Sequence, residues 1–207
     1  MKRVAIMIAI LALLLPIAAW ADGIDLTNSY GTVNVTLAGI ISKGSELTSW
    51  GGYSGNLGQV NFSTGAFTSG GVFTGGTLSA TGSMFDVIGV GPWAKKLTGA
   101  PKNPVTLFSG SFVGPIQWTM VSHNNMKWVF TLSGNIQGAL WNGRTVTGTT
   151  TQTIILYQNQ WGQDQTGLIG LVGNNSHLNT PEPGTLGMFG TGLIALAGAM
   201  RRRFLKM

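Results

Sequence analysis

The feature that most constrains this chain is an alternation of apolar and polar residues between its two ends. Residues 33–37 (VNVTL) and 116–120 (IQWTM) are apolar at every second position, and residues 151–157 (TQTIILY) are rich in β-formers. A period of two is typical of a strand with one buried face, and helical periodicity is absent over residues 22–180. The sequence therefore predicts an all-β domain over residues 22–172, an antiparallel β-sandwich or jelly roll.

Two hairpins can be placed from their turn residues. A three-residue loop at residues 123–125 would pair Met120 with Trp128 on one buried face. The same register would pair Trp118 with Phe130. Asn142-Gly143 is the dipeptide typical of a type I′ turn and predicts the second hairpin.

The segment 63–83 (STGAFTSGGVFTGGTLSATGS) is rich in glycine, serine and threonine. AFTSGG and VFTGGT resemble two copies of a short repeat, which leaves a small β-solenoid open. Short strands joined by glycine turns are the favoured interpretation, because two copies are few for a solenoid.

The positive charge of the chain lies mainly at its ends. The formal net charge is +6, but residues 22–180 carry six basic and five acidic residues, which leaves +1 for the middle of the chain. A nucleic-acid surface needs clustered lysines and arginines, so we expect no nucleic-acid partner. The chain has no cysteine, which excludes disulfides and thiolate metal sites.

The first 21 residues have the three parts of a secretory signal. Lys2 and Arg3 precede an apolar run, and Ala19 and Ala21 place small residues where signal peptidase requires them. We therefore predict cleavage after Ala21 and export from the cytoplasm. An uncleaved membrane anchor is the alternative.

The end of the chain combines a proline-rich tripeptide, a short apolar stretch and a basic cluster. Pro181-Glu182-Pro183 closes a predicted polar linker, 173–183. The 17 uncharged residues 184–200 would form a helix of roughly 25 Å, the lower limit for a membrane span. Arg201, Arg202 and Arg203 follow directly, so the tail 201–207 is expected on the cytoplasmic side. We expect a transient anchor in the inner membrane.

This combination resembles the PEP-CTERM sorting signal of exported proteins in Gram-negative bacteria, many of which make exopolysaccharide. The resemblance covers residues 180–207 and departs from the family in having Thr180 where valine is common. It implies recognition by an exosortase in the inner membrane, removal of the tail near Pro181–Pro183, and delivery to the cell surface or extracellular matrix.

The middle of the chain offers few groups for chemistry. His123 and His177 have no neighbour at metal-ligand spacing, and nucleophile-elbow and phosphate-loop motifs are absent. Glycoside cleavage would need two of the five acids Asp22, Asp25, Glu46, Asp86 and Asp164 to meet in space. We expect no metal, no cofactor and no enzyme, and structural or adhesive work for the domain.

Carbohydrate binding is the alternative function. Trp50, Tyr53, Trp93, Trp141 and Trp161 lie near glycines and polar residues, and an exposed ring can stack on a sugar face. Large aromatic residues of β proteins more often fill the core. Trp141, beside the Asn142-Gly143 turn, and Trp161 are the ones we expect to be exposed. Exopolysaccharide is the expected ligand.

Overall fold

The structure, a computed structural model, describes residues 23–101, 103–124, 127–157, 165–169 and 175–179, with 165–169 described by their backbone alone. Within these ranges the chain forms twelve strands and one short helix. Strands β1 to β12 are Gly23–Ser29, Thr32–Thr36, Gly39–Trp50, Tyr53–Ser63, Phe67–Gly71, Gly75–Leu78, Met84–Gly89, Val105–His123, Lys127–Leu140, Thr145–Tyr157, Gln165–Ile169 and Asn175–Asn179, and helix α1 is Pro92–Thr98. The all-β prediction is confirmed.

Several predicted features lie outside the described residues. They are the signal peptide 1–21 with Ala19 and Ala21, the sorting tripeptide Pro181–Pro183, the span 184–200, the tail 201–207 with its arginines, and Trp161. Among the residues that are described, no helix is long and apolar enough to cross a membrane.

Eight strands close into an antiparallel barrel. Following the hydrogen-bonded neighbours, the ring runs β1, β3, β4, β7, β8, β9, β10, β12 and back to β1. Strands β2 and β11 pair with each other. Strand β2 also pairs with β3, and β11 also pairs with β10. The sequence prediction of a sandwich or jelly roll is therefore corrected to a single sheet that closes on itself. The two arrangements share the same alternation of buried and exposed residues, so periodicity alone does not separate them.

Local irregularities bend the long strands around the barrel. Tyr30 and Gly31 both have positive φ angles and separate β1 from β2. The register of β3 shifts opposite this kink, between Ser42 and Ser45, where Gly44 also has a positive φ. Bulges of this kind increase local twist and allow a sheet to close.

The barrel interior is filled by side chains. The largest fully buried residues include two stacked aromatic pairs: Trp118 stacks on Phe130 at a centroid distance of 4.3 Å, and Phe62 stacks on Phe85 at 6.1 Å. The Trp118 indole N–H donates to the carbonyl of Val72 at 2.9 Å. An eight-stranded barrel is just wide enough for such filling.

A buried polar cluster, here called the polar bridge, crosses the interior near the seam of the barrel, by which we mean the place where β12 pairs with β1 and β10. Asn28 and Gln152 bond reciprocally through their amides at 2.9 and 3.1 Å. Asn28 also donates to Ser45, Gln152 donates to Thr150, and Ser176 donates to Thr150. These side chains are at most 2% exposed, so their satisfied hydrogen bonds offset the cost of burying them.

The registers explain why the polar bridge lies there. Thr27 and Thr151 both pair with Asn175, at the described start of β12. Asn28 and Gln152 are the next residues on β1 and β10. At Asn175 the described part of β12, which separates β1 from β10, begins. Just beyond it, the amides of Asn28 and Gln152 therefore join β1 to β10 directly.

The predicted polar linker 173–183 and the predicted domain end at residue 172 are corrected, because Asn175–Asn179 form a strand of the domain. Asn175–Asn179 lie inside the sheet, between β1 and β10, with Ser176 and Leu178 buried. The segment is polar because its outward positions carry Asn175, His177 and Asn179, while only Leu178 is apolar. A short strand of this composition has the same local signature as a linker.

Both predicted hairpins form, but their details differ. His123 belongs to β8 and pairs with Trp128, which shifts the register so that Met120 pairs with Phe130. The predicted cross-strand pairing of Met120 with Trp128, and of Trp118 with Phe130, is therefore wrong. A bulge between Met120 and Ser122 leaves Met120 on the surface.

The hairpin at Asn142-Gly143 has a longer loop than predicted. Gly143 has a φ of 78° and donates to the Leu140 carbonyl, while Leu140 donates to the Arg144 carbonyl. Asn142 does not have the positive φ that a type I′ turn needs, so the turn is the type I turn with a glycine bulge. In segment 63–83, β5 and β6 pair as an antiparallel hairpin, as the favoured interpretation predicted.

Candidate functional site

One end of the barrel gathers four of the five aromatic residues that the sequence indicated for sugar stacking. We call it the aromatic end; it comprises the β3–β4 turn, α1 and the loop 141–144. Trp50 closes β3 opposite Tyr53 at the start of β4. The Trp93 indole N–H donates to the Leu57 carbonyl at 3.0 Å, and the Trp141 backbone N–H donates to the Leu107 carbonyl.

The four rings form two contacting pairs, and one member of each pair, Trp50 and Tyr53, are cross-strand neighbours. Trp141 meets Trp50 edge-on at a centroid distance of 6.4 Å. Tyr53, the cross-strand neighbour of Trp50, meets Trp93 at 5.4 Å with the ring planes tilted by 40°. Each such pair is worth about 0.5–1.5 kcal/mol beyond the area it buries. We call these four residues the aromatic row.

The members of the aromatic row differ in exposure. Trp50 is buried and belongs to the core, whereas Tyr53 is 39% exposed. Trp93 and Trp141 are partly buried against the core. The sequence predicted that Trp141 would be exposed, whereas the structure has it partly buried against the core; Trp161 lies outside the described residues. Three rings of the row therefore present some surface to a ligand.

Exposed basic residues lie on two of the elements that carry the aromatic row. Helix α1 carries Trp93 and, within its last turn, the exposed Lys95 and Lys96. The loop that carries Trp141 also carries the exposed Arg144. Among the described residues the single ion pair is that of His177 with Asp25, so these three cations have no acidic partner there.

The pair of His177 and Asp25 lies on the outer face of the seam. The two residues are directly opposite on β12 and β1, and Nδ1 of His177 donates to Oδ1 of Asp25 at 2.5 Å. The hydrogen bond with Asp25 raises the pKa of His177, more than desolvation lowers it, and a hydrogen bond with Asn179 raises it further. Gly23 leaves room for the imidazole, because a Cβ there would overlap the ring.

Sequence reasoning missed this pair because its members are 152 positions apart and His177 was assigned to a linker. His123 lies exposed at the end of β8. Among the described residues, no three histidines or acids are grouped to hold a metal ion.

A shallow groove of about 530 Å³ lies on the outer wall over β3, β4 and β7. Ile41 and Met84 give it an exposed apolar surface, and Lys43, Gln59, Asn61 and Asp86 give it polar groups. Asn61 accepts from the Gly44 backbone N–H, and Asp86 accepts from Ser109 at 2.7 Å. The lining has one carboxylate, whereas glycoside cleavage uses two.

The comparisons with known proteins concern the end of the chain. The family model of the PEP-CTERM protein-sorting motif matches residues 179–203. Neither a curated protein nor a solved structure matches the chain. The matched region begins at Asn179, which is also the last residue of β12.

Proposed function

We propose that this chain, which carries a PEP-CTERM protein-sorting motif at residues 179–203, is an exported protein that an exosortase processes and delivers to the cell surface or extracellular matrix. Its barrel does structural or adhesive work there. A signal peptidase removes residues 1–21, and the span 184–200 holds the precursor in the inner membrane until the exosortase acts.

The observation that carries this proposal is the position of the sorting motif relative to the barrel. The matched region starts on the last residue of β12, and Gly23, two residues after the predicted signal cleavage, starts β1. Gly23 and Asn179 pair with each other. Cleavage after Ala21 and near Pro181–Pro183 would thus leave the barrel with almost no extra residues.

Intact mass and C-terminal peptide sequencing of the protein from its host's surface and medium test the proposal. We expect a chain that starts near Asp22 and ends near Pro181–Pro183. In a host without the exosortase, or in a Pro181→Ala/Pro183→Ala variant, the tail should remain. A mature wild-type chain that retains residues 184–207 would contradict the processing step.

The proposal gives the barrel a non-enzymatic role. The described acids are Asp25, Glu46 and Asp86, on β1, β3 and β7. The carboxylates of Asp25 and Asp86 are hydrogen-bonded to His177 and Ser109, respectively. A paired-carboxylate mechanism needs one acid to be protonated and the other to be free. Because two of the three described carboxylates are hydrogen-bonded, we favour a binding or structural role over glycan cleavage.

The aromatic row favours a second candidate, a carbohydrate-binding module. Tyr53, Trp93 and Trp141 each combine a ring surface with an anchored position at the end of a strand, in a loop or in a helix. Stacking on a sugar face uses such partly exposed, rigid rings. Retention of the protein on immobilised polysaccharides, with Tyr53→Ala as the comparison, tests this candidate.

A further inference from the structure

We propose that the aromatic end binds an acidic polysaccharide, with sugar rings on the aromatic row and carboxylate groups on Lys95, Lys96 and Arg144. The inference rests on the carbohydrate-binding candidate above and adds the chemical class of the ligand. It also names the residues that would select that class.

The first step is the charge at this end of the barrel. Lys95, Lys96 and Arg144 are exposed, and none has an acidic partner among the described residues. The described acid on the seam is Asp25. Its backbone carbonyl accepts a hydrogen bond from the Gly51 N–H in the β3–β4 turn, so it lies beside the aromatic end. The Asp25 carboxylate is engaged by His177. The aromatic end therefore has an excess of positive charge in a domain that is nearly neutral.

The second step is the position of these charges relative to the rings. Lys95 and Lys96 follow Trp93 by two and three residues on α1. Arg144 follows Trp141 by three residues, in a loop whose shape is fixed by the Gly143-to-Leu140 and Leu140-to-Arg144 hydrogen bonds. The cations thus lie on the same short elements as Trp93 and Trp141. A ligand that contacts the exposed surfaces of Tyr53, Trp93 and Trp141 would therefore also come near positive charge on α1 and on the loop 141–144.

A polymer of acidic sugars matches both features. Its rings present C–H faces that stack on Tyr53 and on the partly exposed indoles, and its carboxylates attract lysine and arginine. A lipid surface would also attract the cations, but membrane binding uses apolar side chains that protrude and insert. Here Trp93 and Trp141 pack against the core and against other rings. The geometry favours the polysaccharide.

The test uses the protein as recovered from its host, at whatever length its mass shows. Binding to polygalacturonate is measured beside binding to neutral dextran and to vesicles of phosphatidylglycerol and phosphatidylcholine. We expect polygalacturonate to bind at least tenfold more tightly than dextran, with an affinity that falls as salt is raised.

Two matched pairs of variants assign the site. Lys95→Gln/Lys96→Gln should weaken polygalacturonate binding at least tenfold, while Lys43→Gln/Lys127→Gln, two exposed lysines elsewhere, should change it less than twofold. Tyr53→Ala should weaken binding, while Tyr157→Ala, at a similarly exposed tyrosine, should not. The Tm of each variant checks that it is folded.

Each of the other outcomes refutes a specific part of the acidic-polysaccharide proposal. Equal binding of dextran and polygalacturonate refutes the acidic class and leaves the carbohydrate candidate standing. Equal losses in the two lysine pairs refute the location at the aromatic end. Vesicle binding that depends on Lys95 and Lys96, without polygalacturonate binding, shows a lipid surface instead. Absence of binding to every polysaccharide refutes the inference together with the carbohydrate candidate, whereas export and processing are decided separately by the mass measurement.

Discussion

Gly23 and Asn179 lie directly opposite each other on β1 and β12, so the first and last described residues of the domain are hydrogen-bonded neighbours in the sheet. This pairing closes the barrel. It also places Asn179, where the match to the sorting motif begins, at the same end of the barrel as the β3–β4 turn, because Gly51 of that turn donates to the Asp25 carbonyl on β1. The strand that closes the barrel therefore ends where the match to the sorting motif begins.

The first prediction tests whether β12 is an integral strand. Leu178 is fully buried, so Leu178→Ala should lower the free energy of unfolding by about 2–5 kcal/mol through the lost burial and the cavity. Leu37→Ala, at a leucine that is 53% exposed, should change it by less than about 0.5 kcal/mol. Chemical denaturation of both variants provides the measurement. Equal effects would mean that β12 contributes no more than a linker.

The second prediction concerns pH and the seam. Because Asp25 raises the pKa of His177, the pair's contribution to stability is fully present below the ordinary histidine pKa of 6.5 and is lost as pH rises through the folded value. The stability difference between the wild type and Asp25→Asn should therefore be larger near about pH 5.5 than at about pH 8.5.

NMR titration gives the direct check on this pair. The His177 midpoint should fall in Asp25→Asn, while Asp86→Asn, which removes a carboxylate bonded to Ser109, should leave it unchanged. A midpoint that is the same in Asp25→Asn and the wild type would exclude the proposed cause.

The third prediction contrasts two buried serines on β3. Ser42 Oγ has no hydrogen-bond partner within the described part of the chain, whereas Ser45 accepts from Asn28 and donates to the Ser29 carbonyl. Ser42→Ala should raise the free energy of unfolding by about 1 kcal/mol, and Ser45→Ala should lower it by about 1–3 kcal/mol. Thermal and denaturant unfolding distinguish the two signs. Destabilisation by both substitutions would indicate that Ser42 does have a partner.

The all-β class and the locations of both hairpins could be predicted because they depend on short-range patterns. Alternation identifies a strand, and Asn142-Gly143 identifies a turn. The register around His123 could not be predicted, because a bulge near Met120 changes the pairing without changing the alternation.

The closure of the barrel and the pair of His177 with Asp25 depend on contacts between the two ends of the domain. No local signal relates residues so far apart. The aromatic row was anticipated only as a set of separate residues. The two ring pairs form because the β3–β4 turn contacts the loop 141–144 through Trp50 and contacts α1 through Tyr53.

The last prediction concerns the polar bridge. Gln152→Leu leaves the Asn28 amide buried with an unpaired donor and acceptor, so it should lower the free energy of unfolding by about 2 kcal/mol or more. Asn28→Leu should do the same to Gln152. The double variant removes both partners together, so its cost should be clearly less than the sum, with a coupling energy of about 0.5–3 kcal/mol. A double-mutant cycle by urea denaturation measures that energy. Simple additivity would mean that the two amides act independently and that the bridge does not join β1 to β10.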